Sequence, residues 1–163
     1  MRIALCTFAF PKGFGPYGAQ LRMLAYHLVR RSHWILWITW GGDTGGLLVP
    51  NQPDVGMSWL GGQIPENSPV YVSEINAIMR AHRIDALITM NDLTRQFVDE
   101  PFEPRSVAWF PNHFPELDPH SAHALHAYDA VASLAPGDAS RVAAQLPYKE
   151  VRWVPHGIDV ARG

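Results

Sequence analysis

Three glycines lie between the first apolar segment of the sequence and its first helical pattern. They are Gly13, Gly15 and Gly18, and their spacing is G-x-G-x-x-G. Glycine lets a backbone approach a phosphate closely, and the N-terminus of a following helix offers unpaired N–H groups to an anion. The spacing therefore predicts a diphosphate-binding loop. A glycine-rich turn that binds nothing has the same pattern, so the spacing alone leaves both interpretations open.

The dinucleotide-binding folds of nicotinamide- and flavin-dependent oxidoreductases use the same glycine spacing. In those folds the first glycine turns directly off the strand, and an acidic residue after the second strand binds the ribose. Here Pro11 and Lys12 precede Gly13, and the candidate acid, Asp43, lies beyond a Gly41-Gly42 turn. These departures weigh against a dinucleotide site, which stays open as an alternative.

Two polar residues, Asn91 and Asp92, directly follow the apolar run at residues 86–90. If that run is a parallel strand, both side chains lie at its carboxyl end, where doubly wound sheets bind their ligands. Either side chain can then contact a hydroxyl group of an acceptor. Asn and Asp are also the usual N-cap residues, and a helical pattern begins near Leu93, so helix capping is the competing interpretation.

His120, His123 and His126 recur at every third residue of another helical pattern and raise the question of a metal site. Successive i, i+3 positions rotate by about 60° on a helix, so the three side chains spread over about 120°. The sequence has neither a cysteine cluster nor an HExxH pattern that would support zinc. We therefore predict no metal site and interpret these histidines as a polar helix face.

The elements that must position these residues alternate between strands and helices. Strand-length apolar runs occupy residues 2–10, 34–40, 56–60, 86–90, 107–110, 130–134 and 151–155, and helical patterns occupy residues 19–31, 73–82, 93–100, 121–128 and 137–146. Continuous apolar strands suit a sheet that is covered on both faces. The pattern predicts an α/β fold with a doubly wound, mostly parallel sheet of about six or seven strands flanked by helices.

Composition and charge limit the function classes. The 163 residues fit one globular domain, and a net charge of −2 gives no basic surface for nucleic acid. No apolar stretch approaches the ~20 residues of a membrane span. The lone cysteine, Cys6, lies in an apolar run and is expected to be buried and without chemistry. The opening residues do not resemble a signal peptide, so we expect a cytoplasmic protein.

Three segments resemble family-four glycosyltransferases. Residues 18–33, GAQLRMLAYHLVRRSH, resemble that family's glycine loop and Leu-Ala-x-x-Leu helix before the second strand. Residues 128–135, YDAVASLA, look like its "ADAVIAVS" strand, and residues 152–159, RWVPHGID, look like its "VIPNGVD" strand and linker. The order and separation of these segments agree with the family's N-terminal domain. Tyr17, Ser32 and His156 depart from the family pattern, which loosens the details of the phosphate contact.

The resemblance implies a retaining enzyme of the GT-B fold, in which two Rossmann-like domains face each other across a cleft. Residues 1–155 are then the N-terminal, acceptor-side domain, residues 156–163 begin the interdomain linker, and the C-terminal, donor-binding domain is absent. The donor is a nucleotide diphosphate sugar, the acceptor a carbohydrate, lipid or small molecule, and no cofactor or metal is required. We expect the chain by itself to have little or no transferase activity.

The resemblance also implies roles for single residues. His113, on the loop after the strand at residues 107–110, corresponds to a cleft histidine and is the candidate catalytic residue, with an ordinary loop histidine as the alternative. Glu116 and Asp118 are weaker candidates for a base. The glycine loop lies near the donor diphosphate, and Tyr17 and Arg22 are expected at the cleft.

The first helical pattern is also basic, with Arg22, Arg30 and Arg31. Such a helix can contact the inner face of a membrane peripherally, whereas a solvated face with arginines near the helix C-terminus explains the same residues. Three functional classes remain in competition: one half of a glycosyltransferase, a dinucleotide-dependent oxidoreductase domain, and a non-catalytic ligand-binding module of the same fold.

Overall fold

The computed structural model describes residues 1–7, 16–40, 46–47, 57–64, 69–90, 93–110 and 116–155. The strands are β1 (Arg2–Thr7), β2 (Trp34–Trp40), β3 (Gly46–Leu47), β4 (Met57–Ile64), β5 (Val70–Tyr71), β6 (Ala86–Thr89), β7 (Gln96–Phe97), β8 (Arg105–Phe110), β9 (Ala130–Ser133) and β10 (Glu150–Trp153). The helices are α1 (Pro16–Arg30), α2 (Val72–His82), α3 (Pro119–Leu125) and α4 (Pro136–Gln145), and a 3-10 turn spans Leu93–Arg95.

The main sheet has the order β10-β9-β8-β6-β1-β2-β4-β3. Within the described residues, seven of these strands are mutually parallel, and β3 pairs antiparallel with β4 at the edge. From β1 the chain builds outward through β2 and β4, then crosses to the other side of β1 and continues through β6, β8, β9 and β10. The predicted α/β class with a parallel, Rossmann-like sheet is confirmed.

Helices cover both faces of the sheet. On one face, α1 buries Leu21 and Ala25 against Leu5, Ile35 and Trp37 of the central strands. On the opposite face, the core is formed by side chains of the sheet and of α2, α3 and α4, including Ala4, Leu36, Ile75, Met79, Leu87, Leu125 and Val142. Central strands buried on both faces explain why their sequences are apolar without alternation. Cys6 is fully buried in this core, as expected.

One predicted helix is wrong. Residues 93–100 form the 3-10 turn and then β7, which pairs in parallel with β5 as a separate two-stranded sheet. Gln96 is buried, Phe97 is exposed and Val98 packs against the core, which is the alternation of a strand. Backbone pairing with β5 and the buried Gln96 side chain outweigh the local helical pattern, because tertiary contacts override weak propensities.

The boundary of α3 also differs from its prediction. The helix begins at Pro119, two residues before the predicted start, because Asp118 is its N-cap and the Asp118 Oδ1 accepts a hydrogen bond from the Ser121 N–H at 2.9 Å. Proline is favoured in the first turn, where its missing N–H costs nothing. The Ser121 hydrogen bonds hold the pKa of Asp118 below its ordinary value. The structure thus gives Asp118 a capping role.

Candidate functional site

Two hydrogen bonds join the carboxyl ends of β1 and β6. The buried Thr7 Oγ1, at the end of β1, donates a hydrogen bond to the Met90 carbonyl oxygen at 2.7 Å, and the Met90 N–H donates to the Cys6 carbonyl oxygen at 3.0 Å. The chain order reverses at this pair of strands, since β2 and β4 lie on one side and β8 to β10 on the other. A crevice at such a switch point is the usual ligand site of a doubly wound sheet.

Five of the predicted site residues lie outside the described residues: Gly13, Gly15, Asn91, Asp92 and His113. The strands that precede them are nevertheless described. Residues 8–15 follow β1, residues 91–92 follow β6, and residues 111–115 follow β8. Because β8, β6 and β1 are neighbours and parallel, all three segments leave the same edge of the sheet from adjacent strands.

The other three predicted site residues belong to the first two turns of α1. Gly18 is buried, which suits the third glycine of a phosphate-binding fingerprint, where a missing side chain lets the helix pack closely on the strand. Tyr17 is partly buried against the core on the α1 side, and Arg22 is partly buried as well. Part of the Tyr17 ring surface is therefore buried against the sheet.

The N-terminus of α1 has the electrostatic character of an anion site. The helix begins at Pro16, and its first turn contains no acidic side chain. The helix connects β1 to the adjacent parallel β2, so its N-terminus lies at the carboxyl edge of the sheet. The positive end of the helix dipole there is left without an acidic partner in that turn, which favours a negatively charged ligand.

A buried polar network lies behind this edge, and no sequence pattern predicts it. The Thr89 Oγ1 donates to the Tyr128 Oη at 2.9 Å, and the Tyr128 Oη donates to the Gln96 Oε1 at 2.6 Å. The Gln96 Nε2 in turn donates to the Ala124 carbonyl oxygen at 3.3 Å. The network therefore ties the end of β6 to β7 and to α3. Burial raises the pKa of the Tyr128 hydroxyl above its ordinary value of 10.0.

Replacing Tyr128 with phenylalanine is expected to lower the free energy of unfolding by about 2 kcal/mol, because the Gln96 oxygen and the Thr89 hydroxyl lose a buried partner. Urea denaturation near pH 7 measures this loss. The exposed Tyr148, replaced in the same way, is the matched control and should change stability little. Equal losses for the two variants would contradict a structural role for the buried network.

Alkaline pH supplies a second measurement of the same group. The unfolded tyrosine loses its proton near pH 10, whereas the folded one keeps it, so the unfolded state binds fewer protons above that pH. Stability should therefore fall by up to about 1.4 kcal/mol per pH unit above pH 10, and Tyr128→Phe should remove this part of the slope. Burial lowers the pKa of Lys149, so this group changes the stability with pH in the opposite direction. Lys149 is present in both the wild type and Tyr128→Phe, so its effect cancels when the two slopes are compared.

Two hydrogen bonds hold the segment after β10 at the carboxyl edge of the sheet. The Val154 N–H donates to the Ser133 carbonyl oxygen at 2.8 Å, and the Trp109 Nε1 donates to the Val154 carbonyl oxygen at 3.3 Å. Ser133 is the last residue of β9, so Val154 lies at the carboxyl edge of the sheet. Residues 156–163, which we predicted to begin a linker, lie outside the described residues.

The three histidines in and next to α3 have different surroundings. His120 is partly buried and its ring contacts Phe97, with ring centroids 5.2 Å apart, whereas His123 and His126 are exposed. The ring of His126 stacks on Tyr148 with centroids 5.1 Å apart. Among the residues that the structure describes, no group of three histidine, cysteine, aspartate or glutamate side chains could hold a metal ion.

A cavity of about 460 Å³ lies near the other edge of the sheet, where the strands begin. It is lined by Ile3, Ala86, Arg105, Ala130 and Glu150, which begin or nearly begin their strands. The ligand site of a doubly wound sheet is at the opposite edge.

None of the helices in the described part of the chain is long and apolar enough to cross a membrane.

The fold and its switch point define a Rossmann-like α/β protein with a candidate ligand site at the carboxyl ends of β1, β6 and β8. No protein-family model matches the chain, and no curated protein is found to be similar to it. These results assign the chain to a fold class and identify no family.

Proposed function

We propose that the chain is the N-terminal domain of a retaining glycosyltransferase of the GT-B type. The observation that carries the proposal is the arrangement at the switch point. The segment with Gly13 and Gly15 leads from β1 into an α1 N-terminus that has no acidic side chain in its first turn. A diphosphate is the ligand that such a loop and helix end suit best. The resemblance of residues 18–33, 128–135 and 152–159 supports a nucleotide sugar as its source.

The proposed roles follow from which strand precedes each residue. Gly13, Gly15 and Gly18, with the α1 N-terminus, bind the donor diphosphate. His113, after β8, stabilises the donor as the glycosidic bond breaks, either by donating a hydrogen bond or through a positive charge on its imidazole. Asn91 and Asp92, which follow β6, contact the acceptor, and Tyr17 and Arg22 of α1 contribute to the same cleft.

One observation favours a dinucleotide-dependent oxidoreductase as the second candidate. The succession β4-β2-β1-β6-β8-β9 has the chain order of the dinucleotide-binding fold, in which β1 is central and the chain crosses over after its third parallel strand. The strand order therefore suits both functions. The composition of the glycine loop, with Pro11 and Lys12 before the first glycine, favours the transferase.

The test is an assay of the complete gene product against a panel of nucleotide diphosphate sugars, with release of the nucleotide diphosphate as the readout. We expect one nucleotide sugar to turn over. His113→Ala should reduce kcat by about a hundredfold, the size of a lost electrostatic or proton-transfer contribution. His123→Ala, which removes an exposed histidine of α3, is the matched control and should leave kcat unchanged.

Each competing function gives a different result in these measurements. Turnover of no nucleotide sugar, together with the absorbance of bound nicotinamide or flavin in the purified protein, would establish the oxidoreductase. Turnover that is equal in wild type and His113→Ala would keep the transferase but remove His113 from its catalytic residues. Specific ligand binding without turnover of any nucleotide sugar or any such absorbance would indicate a non-catalytic module.

A further inference from the structure

Three aromatic rings form a row along the small sheet and helix α3. They belong to Tyr71 of β5, Phe97 of β7 and His120 of α3, and we call them the aromatic row. The Tyr71 and Phe97 ring centroids are 5.8 Å apart, and those of Phe97 and His120 are 5.2 Å apart. Tyr71 and Phe97 are each 42% exposed. Two neighbouring large rings thus present nearly half of their surface to solvent.

The small sheet explains why these rings point outward. Val70 pairs with Gln96 and Tyr71 with Phe97, so the side chains alternate between core and solvent at the same register on both strands. Val70 and Gln96 are buried at 0% and 1% exposure. Gln96 is also held by its hydrogen bonds to Tyr128 and to the Ala124 carbonyl oxygen. The buried half of the small sheet therefore holds the exposed half in a fixed position.

The planes of the two larger rings differ by only 37°, so Tyr71 and Phe97 form a slightly bent platform. A platform of this kind suits a flat ligand with an apolar face. Aromatic rings flanked by a few fixed polar groups are the usual composition of a small-molecule site. His120 meets Phe97 edge to face at 68° and closes one end of the row.

A carboxylate is held at the start of α2, where its partner Ser73 lies two residues after Tyr71. Asp99 is exposed two residues after Phe97, and its Oδ1 accepts a hydrogen bond from the Ser73 N–H at 3.0 Å, while its Oδ2 accepts one from the Ser73 hydroxyl. These hydrogen bonds hold the pKa of Asp99 below its ordinary value, so the group is ionised near neutral pH. A carboxylate oxygen accepts more than one hydrogen bond, so the Asp99 carboxylate can also accept from ligand hydroxyls.

The charges around the platform select among flat ligands. Glu74 lies close as well, since its Oε2 accepts a hydrogen bond from the Tyr71 N–H at 3.4 Å. Two carboxylates repel the phosphates of a nucleotide, and neighbouring rings tilted by 37° do not form the enclosing cage that binds a quaternary ammonium group. A sugar ring is neutral, has an apolar C–H face for the platform, and has hydroxyl donors for the carboxylates.

The row lies at the same end of the molecule as the proposed donor site. Helix α2 begins at Val72, directly after β5, and returns to the start of β6, so its N-terminus lies towards the carboxyl end of that strand. The 3-10 turn and β7 follow the carboxyl end of β6. Helix α3, which carries His120, connects β8 to β9 and therefore also begins at this end.

We propose that the aromatic row binds a pyranose ring of a carbohydrate acceptor, with the ring's C–H face on Tyr71 and Phe97 and its hydroxyl groups on Asp99. The site is separate from the glycine loop and from His113, and only its role as an acceptor site rests on the proposed glycosyltransferase function. Because the site lies on β5, β7 and α3, it suits a sugar unit other than the one that receives the transferred residue.

Saturation-transfer NMR on the 163-residue chain tests this site without any donor. The probes are the methyl glycosides of glucose, galactose, mannose and N-acetylglucosamine, at millimolar concentration. At least one should receive magnetisation at its ring C–H protons. Phe97→Ala should weaken its binding about fivefold or more, which is the size of one lost stacking contact. Tyr71→Phe keeps the ring and should bind as the wild type does.

Two further variants keep the test decisive. Phe97→Leu keeps apolar bulk but removes the flat ring, so it should lose binding even if Phe97→Ala fails to fold. Tyr148→Ala removes an exposed aromatic side chain elsewhere and should have no effect. Binding of no glycoside, equal binding by wild type and Phe97→Leu, or preference for adenosine monophosphate or tetramethylammonium would overturn the proposal. Failure here with nucleotide-sugar turnover intact would leave the proposed transferase standing.

Discussion

Trp37→Ala is expected to lower the free energy of unfolding by about 4 kcal/mol, among the largest effects of any single substitution in this chain. Trp37 is fully buried near the middle of β2, on the face that α1 covers, and in register with Leu5 of β1. Removing the indole deletes a large apolar surface from the core and leaves a cavity that a packed parallel sheet cannot close. Chemical denaturation followed by circular dichroism measures the loss.

Trp153 supplies the matched control, because it is 54% exposed on the edge strand β10. Its replacement by alanine should cost well under half as much, since most of the indole already contacts water. Trp37→Phe fills part of the cavity and should fall between the two. Should the two alanine variants lose similar stability, the placement of β2 at the centre of the core would be wrong.

The sequence was sufficient to predict the sheet because its central strands carry their own signal. Residues 34–40 and 86–90 are apolar except for one threonine each, which is the expected pattern for strands covered on both faces, and β2 and β6 occupy them. Alternation with helical segments then required a parallel sheet. The glycine loop identified the end of β1 where a ligand is expected, because a loop between a strand and a helix must leave the carboxyl edge.

Other features depend on contacts that no local pattern records. Tyr128 lies 39 residues after Thr89 and 32 residues after Gln96 along the chain, and tertiary packing brings its hydroxyl to both side chains. Strands β5 and β7 have two residues each, too few for any periodicity, so the aromatic row was invisible in the sequence. The prediction of a helix at residues 93–100 was wrong because it also relied on a local pattern alone.

Asn76→Ala is expected to lower the free energy of unfolding by about 3 kcal/mol, because one buried side chain makes three hydrogen bonds to the segment between β7 and β8. Asn76 is 0% exposed in α2. Its Nδ2 donates to the Glu100 Oε1 and to the Pro101 carbonyl oxygen, both at 2.8 Å, and its Oδ1 accepts from the Glu103 N–H at 3.1 Å. Urea denaturation of the variant measures the loss.

Arg80 separates this effect from surface electrostatics, because it contacts the same segment from the same helix. It forms an ion pair with Glu103, and the two side chains are 55% and 48% exposed. Solvent screens such a pair, so Arg80→Ala should change stability by less than about 1 kcal/mol. If Arg80→Ala cost as much as Asn76→Ala, the segment would be held by charge. The expected difference instead identifies a buried amide as the stronger contact of α2 with the segment that follows β7 and its Phe97 ring.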